Sequence, residues 1–405
     1  PDTVNPSLWR QSQLVGITGL FEVTGGIYQV RNFDLAVMTF IRGETGWIVV
    51  DPLVSAAPAA EALRLVLEHV ADLPVTAVLS THSHADHFGG IEGVTTREDI
   101  ASGRVRYVVP AGFVEESISE NVLAGNVMSR RSSYMYGNAV PPGPAGAVGA
   151  GLGPSTSSGS IALFRPTDIV DHTPQELVVD GVRFVFQHTP GAEAPSEYCF
   201  YLPDHRALCM AEIASHTLHN VYTLRGAKVR DALLWSKHIH EALRLFGDDA
   251  EVLFASHHWP TWGTEAVQEA LRGQRDLYRF IHDQTLRLAN HGHGPTEIAE
   301  MLEMSPGIAG RFANRGYYGS VNHNVKAVYN YYLGWFDGNP ANLHPLPPVE
   351  AGRKFVEYAG GADAVLERAR ADFEAGEYRW VAEALNLFVF GYGDHREAKE
   401  LLADT

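Results

Sequence analysis

Cysteine is nearly absent. Two thiols in 405 residues rule out a disulfide framework, so stability has to come from a buried core, and a chain this long has ample core. The two sit in Tyr198-Cys199-Phe200-Tyr201-Leu202 and Ala207-Leu208-Cys209-Met210, which read as the arms of a tight hairpin. Pairing Leu202 with Ala207 sets Cys209 opposite Phe200, so Cys199 projects from the other face and the sulfurs stay free. Basic residues are also scarce: 31 Lys and Arg against 48 Asp and Glu give a formal charge of −17. That balance argues against nucleic acid and anionic membranes as partners. It does not exclude a small anionic substrate, because metal ions and a few arginines set a local field. No apolar run reaches the ~20 residues of a membrane span. The chain opens Pro1-Asp2 with no positive-then-apolar segment, so either no signal exists or it has been removed. The cysteines leave the redox compartment undecided.

The length suggests two domains. Gly26–Val30, Leu35–Ile41 and Trp47–Asp51 read as strands, with a turn at Arg42–Gly46. A helix is expected over Ala57–His69, then a buried strand at Val75–Ser80. Residues Asn138–Ser160 are rich in Gly, Pro, Ser and Ala, which points to a disordered stretch or a functional lid. Strands resume at Val182–Phe186 and through the cysteine hairpin. A helix over Val229–Phe246 and a strand over Glu251–Phe254 follow. Beyond Trp262 strand signals vanish. Glu265–Asn290, His323–Tyr332, Ala362–Ala375, Glu377–Phe390 and Asp394–Ala403 read as helices. The expected architecture is a mixed sheet covered by helices over residues 1–262, then a helical domain over 263–405 suited to dimerisation.

One motif carries the chemistry. Thr81-His82-Ser83-His84-Ala85-Asp86-His87-Phe88-Gly89-Gly90 follows a strand and packs three imidazoles and a carboxylate into six residues. Such ligands suit zinc. His82 and His84 can converge on one ion while Asp86 and His87 turn toward a second. Further ligands are expected at other strand ends: a glutamate in Thr189-Pro190-Gly191-Ala192-Glu193-Ala194-Pro195-Ser196-Glu197, Glu212 after Met210-Ala211, and one of His257 or His258 in Ala255-Ser256-His257-His258-Trp259-Pro260.

With these motifs the chain resembles the metallo-β-lactamase superfamily, whose signature is His-x-His-x-Asp-His after a strand. Most members carry histidine just after Thr-Pro-Gly; here Glu193 stands one place later. That departure resembles the alkyl sulfatase branch. So do Thr217-Leu218-His219-Asn220-Val221-Tyr222-Thr223-Leu224-Arg225-Gly226-Ala227, Tyr134-Met135-Tyr136-Gly137, His323-Asn324 and Tyr332-Leu333-Gly334-Trp335-Phe336-Asp337-Gly338-Asn339-Pro340. The likeness covers nearly the whole chain.

The resemblance implies an αββα sandwich followed by an all-α dimerisation-type domain, a homodimer, and two zinc ions. His82, His84 and Glu193 would hold one ion and Asp86, His87 and His257 the other, with Glu212 bridging and Glu197 and His258 as neighbours. Arg225 would bind the sulfate group of an alkyl sulfate ester, and its fork suits two sulfate oxygens. His323 would be a further sulfate contact near the leaving oxygen and a general acid if sulfur is attacked. At the place of Trp335 some relatives carry a tyrosine that touches sulfate, where an indole offers only its N–H. Tyr134, Tyr136, Trp259 and Trp335 are expected to line a pocket for the alkyl chain. A third, sterol-carrier-like domain of relatives is expected to be missing beyond Thr405. The compartment would be periplasmic or extracellular if a signal was removed, otherwise cytoplasmic. Glu193 in place of a neutral imidazole is expected to add negative charge and weaken Lewis acidity. A lactonase, thioesterase or β-lactamase would use the same metal core but keep the histidine. A non-catalytic scaffold would not need the full ligand set.

Overall fold

Successive side chains of a strand point to opposite faces, and the central strands here are apolar on both. In the computed structural model, which describes residues 3–405, Trp47 and Val49 face a helical layer while Ile48 and Val50 face a second sheet. Seven strands form the first sheet in sequence order: β1 (Gly19–Thr24), β2 (Ile27–Arg31), β3 (Met38–Arg42), β4 (Trp47–Val50), β5 (Val75–Leu79), β6 (Arg106–Pro110) and β7 (Asp168–Val170). β1 to β4 run antiparallel, and β4 to β7 parallel. The second sheet holds β8 (Gln175–Val179), β9 (Val182–His188), β10 (Tyr198–Leu202), β11 (Ala207–Cys209), β12 (Val252–Phe254) and β13 (Thr261–Trp262), in the order β13-β12-β11-β10-β9-β8. Among the described residues its only parallel pair is β11 with β12.

The helices of the first unit are α1 (Pro6–Val15), α2 (Ala56–His69), α3 (Arg97–Ala101), α4 (Phe113–Ile118), α5 (Gly125–Met135), α6 (Ala232–Phe246), α7 (Thr264–Asn290), α8 (Pro295–Met301), α9 (Pro306–Ala309) and α10 (Val321–Leu333). Ala59, Ala62 and Val66 of α2 pack on Trp47, Val49 and Val78 of the first sheet. Trp235 and Ile239 of α6, with Leu271, Leu277 and Ile281 of α7, cover Cys199, Tyr201 and Leu208 of the second. Between the sheets lie Ile27, Ile41, Leu79, Phe184, Phe186, Phe200 and Phe254. The order of layers is helix, sheet, sheet, helix: the αββα sandwich. The cysteine hairpin has the expected register, Phe200 opposite Cys209 and Leu202 opposite Ala207. Both thiols are buried and free, on opposite faces.

Several element boundaries differ from expectation, two of them by three residues. β3 starts at Met38 rather than Leu35, because Asp34 turns the chain there: its carboxylate accepts the N–H groups of Leu35 and Val54. α6 starts at Ala232 rather than Val229, because Asp231 caps it by accepting from the N–H groups of Leu233 and Leu234. Residues 138–160 are irregular, as expected, and tied down. The same Asp34 carboxylate accepts from Ser157 N at 2.8 Å and Ser157 Oγ at 2.6 Å.

The chain divides into two compact units, one ending at Gly334 and one spanning Trp335–Thr405. The change of texture expected after Trp262 marks where strands end; packing of the first unit continues through α7 and α10. The second unit contains α11 (Pro348–Tyr358), α12 (Ala362–Glu374), α13 (Tyr378–Gly391) and α14 (Arg396–Asp404) around Val356, Leu366, Val381, Leu385 and Phe388. Among the described residues, no helix is long and apolar enough to cross a membrane.

Candidate metal centre

The parallel strands deliver their C-terminal ends to one rim of the sandwich, and loops there carry the polar residues. β5 ends in the loop bearing His82, His84, Asp86 and His87. This loop folds back tightly: a Cβ on Gly89 would lie 2.1 Å from the Val54 carbonyl oxygen, and one on Gly90 2.1 Å from that of Pro52. Only glycine fits these two approaches. β9 ends in the loop with Glu193, β11 in Glu212, and β12 in His257.

The side chains converge in two groups: His82, His84, Glu193 and Glu212, and Asp86, His87, Glu212 and His257. Glu212 belongs to both. Its Oε2 lies 3.2 Å from His82 Nε2, 3.2 Å from His87 Nε2 and 3.1 Å from His257 Nε2. Glu193 Oε2 lies 3.0 Å from His84 Nδ1 and 3.4 Å from His82 Nε2. Asp86 Oδ2 lies 3.1 Å from His87 Nε2 and 3.6 Å from His257 Nε2. A tetrahedron with metal–ligand bonds of ~2.0–2.1 Å has edges of about 3.3 Å, so these separations suit ions at the two centres.

Outer atoms fix which nitrogen faces inward. His87 Nδ1 pairs with Asp51 Oδ2 at 3.1 Å, and Asp51 also accepts from Thr81 N, Thr81 Oγ1 and Ser256 Oγ. His82 Nδ1 meets Thr81 Oγ1, and His257 Nδ1 meets the Leu35 carbonyl oxygen. His84 is reversed, with Nδ1 inward and Nε2 3.6 Å from Glu120. Supporting contacts of this kind set tautomer and ring orientation in metal sites. The inward atoms His82 Nε2, His87 Nε2, His257 Nε2 and Glu193 Oε2 are buried without a hydrogen-bond partner. Buried polar atoms are almost always satisfied, so this cluster of orphans fits a pair of cations.

Electrostatics agree. Burial alone would push the carboxyls up, yet His257 and His219 hold Glu212 well below the ordinary range. Arg230 and His84 do the same for Glu193. Burial would depress His87, but Asp86 and Asp51 push it well up. Each group gains from opposite charge close by. Glu197 is a neighbour rather than part of either group; its Oε2 accepts from the N–H groups of Glu193 and Ala194, shaping the loop. His258 likewise stays outside, with Nδ1 accepting from His216 N and Nε2 on the Gly151 carbonyl oxygen.

Next to Asp86 opens a cavity of about 280 Å³, lined by Glu120, Met128, Tyr136, Ser157, Ile161 and Arg225 among others. Arg225 Nη1 lies 3.4 Å from Glu120 Oε2, and the Tyr136 hydroxyl 3.2 Å from that of Tyr318. Arg225 and Tyr136 therefore share a cavity with a metal-group carboxylate. Tyr134 points away, 85% exposed on α5. His323 sits exposed near the start of α10, and Trp259 lines a different cavity beside Leu35 and Trp262. Trp335 is exposed and belongs to the second unit. Asp51, Glu120, His219, Arg230 and Tyr318 were not singled out in the sequence as site residues. His219 Nε2 donates to Glu212 Oε1 at 2.7 Å, and Arg230 Nη2 lies 2.5 Å from Glu193 Oε1. Their signal was weak: Asp51 ends an apolar strand, and His219 lies in a quoted motif, but nothing local marks Arg230.

A model of the metallo-beta-lactamase superfamily matches residues 31–257, and a model of alkyl sulfatase dimerisation matches residues 294–405. A linear primary-alkylsulfatase from a Pseudomonas species is 54% identical over 405 residues, covering 100% of this chain and 60% of its own length. Alkyl/aryl-sulfatase BDS1 of Saccharomyces cerevisiae is 50% identical over 404 residues, covering 100% and 62%. The solved structure of the stereoselective inverting sec-alkylsulfatase Pisa1 from Pseudomonas sp. superposes with a TM-score of 0.98 at 44% identity, covering 100% of this chain and 64% of that one. The chain spans about three fifths of the length of these curated relatives.

Proposed function

The chain belongs to the alkyl sulfatase family of the metallo-β-lactamase superfamily, and we propose that it hydrolyses alkyl sulfate esters to an alcohol and inorganic sulfate at a two-zinc centre. The observation that carries this reading is the Arg225 cavity opening directly onto Asp86. A sulfate monoester has one negative charge over three terminal oxygens, and a guanidinium fork can grip two of them. The Tyr136 hydroxyl is a second donor on the same wall. His82, His84 and Glu193 would hold one zinc, Asp86, His87 and His257 the other, with Glu212 between them. When bound, the metal supplies Lewis acidity and a nucleophilic water near neutral pH. Arg225 and Tyr136, on the cavity wall beside Asp86, would orient the ester. Apolar side chains at the mouth, such as Ile161 and Met128, suit an alkyl chain.

Two routes share this arrangement. Attack at carbon expels sulfate, which needs no proton. Attack at sulfur expels an alkoxide, for which His323 is the candidate donor. Its imidazole is pulled below the usual value by loss of solvent around the ring and then by Lys326, so it is mostly neutral at pH 7 and a weak acid reservoir. Hydrolysis in ¹⁸O-labelled water separates the routes: label in the alcohol means the C–O bond broke, label in sulfate means the S–O bond did. Residues 335–405 are assigned to homodimer formation, supported by the dimerisation model that covers them. The test of the function is sulfate release from zinc-loaded protein given dodecyl sulfate, a secondary alkyl sulfate, an aryl sulfate, a lactone and a β-lactam. Sulfate from alkyl esters supports the proposal. Ring opening without sulfate would move the chain to another hydrolase branch, and inertness at full zinc content would favour a binding protein.

A further inference from the structure

Glu193 occupies the place where a neutral imidazole would serve most of the superfamily, so the first metal group carries an extra negative charge. The structure places a cation against it. Arg230 is buried, and its Nη2 lies 2.5 Å from Glu193 Oε1. The carboxylate is thereby divided in function. Oε1 faces Arg230, with His219 Nε2 3.6 Å away. Oε2 faces His82 and His84 and has no hydrogen-bond partner.

Arg230 is itself held rigidly. Its Nη1 donates to the Asn220 carbonyl oxygen at 2.6 Å and to Asn220 Oδ1 at 2.5 Å, and lies 3.2 Å from His219 Nδ1. Its backbone N–H donates to the Val221 carbonyl oxygen. A buried guanidinium would be costly without its carboxylate, and the carboxylate without the guanidinium. The pair is close to neutral as a unit, as an imidazole is.

We propose that Arg230 is a charge-compensating positioning residue: it neutralises Glu193 through Oε1, leaves Oε2 as the single ligand atom, and so keeps the metal as Lewis-acidic as it would be with histidine. This rests on the reading that Glu193 is a metal ligand. On this proposal Glu193 would not weaken Lewis acidity, because Arg230 would offset its charge.

The test is zinc(II) affinity, measured by competition with a chromophoric chelator, on the full chain and its variants. Glu193→His leaves Arg230 as an unpaired cation beside the ion and should weaken the first zinc by about 100-fold, the upper range for supporting residues of a metal site. Glu193→His combined with Arg230→Met should restore affinity to within about tenfold of the parent. Arg230→Met alone should bind zinc as tightly as the parent or tighter, while moving the acid limb of the activity profile to higher pH. A merely structural role gives the opposite sign, weaker zinc in Arg230→Met, and that result overturns the proposal. So does a Glu193→His protein that binds zinc as well as the double variant. If Glu193→His does not fold, the comparison of Arg230→Met with Arg230→Lys decides, since lysine keeps the charge and should leave the acid limb near that of the parent. Zinc binding unchanged in Glu193→Ala would instead remove Glu193 from the ligand set, a failure of the underlying reading rather than of the compensation.

Discussion

His216 stacks on Trp259 with ring centroids 4.7 Å apart, and its Nε2 meets the Trp259 carbonyl oxygen at 2.9 Å. Burial pushes its imidazole down to about 4, against the pull of that carbonyl. The sign of the pH effect follows. Below about 6.5 the unfolded chain takes up a proton that the folded chain refuses until about 4, so stability falls as pH falls through that window. Between pH 7 and pH 5 the metal-free protein should lose about 2 kcal/mol more than His216→Gln, read from urea midpoints. Equal losses would mean the ring is solvated. If Arg225 grips the sulfate group as proposed, truncation removes that contact: Arg225→Ala should lower kcat/KM for dodecyl sulfate by about 100-fold or more, with Arg225→Lys between. A loss under threefold would take Arg225 out of the substrate site. The residues that converge in the two candidate metal groups were legible because six consecutive residues hold four of them and strand ends mark the rest. Arg230 and Glu120 were not, because what defines them is a partner distant in the chain: Glu193 for one, His84 and Arg225 for the other.

Among elements, the segment 138–160 shows how one buried side chain substitutes for regular structure. Asp34 accepts from Leu35 N, Val54 N, Ser157 N and Ser157 Oγ, ending one strand's approach and fastening the irregular segment at once. Asp34→Ala leaves three backbone donors without that acceptor. It should cost about 3 kcal/mol and open residues 138–160 to limited proteolysis, while Ser157→Ala should do less of both. Unchanged cleavage kinetics would show that the segment is held elsewhere. Strands with continuous apolar runs, such as Trp47–Val50 and the Ala77–Leu79 end of β5, were readable because both faces are buried. α1, β1 and the α4–α5 region were not. Their sequences mix polar and apolar residues with little periodicity, and α5 has no fully buried residue to impose one. α11 starts at Pro348 directly after Pro347, and that proline-rich entry masked it.

For the molecule as a whole, the distribution of the candidate metal groups between the two compact units decides how a bound metal would affect stability. Every residue of both metal groups lies before Gly334, while the second unit has its own core of Val356, Val381, Leu385 and Phe388. Texture alone placed a boundary at Trp262, where strands stop; packing places it some seventy residues later, because α7 and α10 close the core that α6 begins. Ions that bind only the folded first unit stabilise it by about 4 kcal/mol when present at a thousand times their dissociation constant. Calorimetry with and without chelator should therefore move one transition down and leave another in place. The fixed transition, if residues 335–405 self-associate as proposed, should instead rise with protein concentration, because assembly is favoured by mass action. A single transition that shifts as one would show that the units unfold together. A chelator-insensitive first transition would show that the buried, unpartnered imidazoles of the rim hold no stabilising ion.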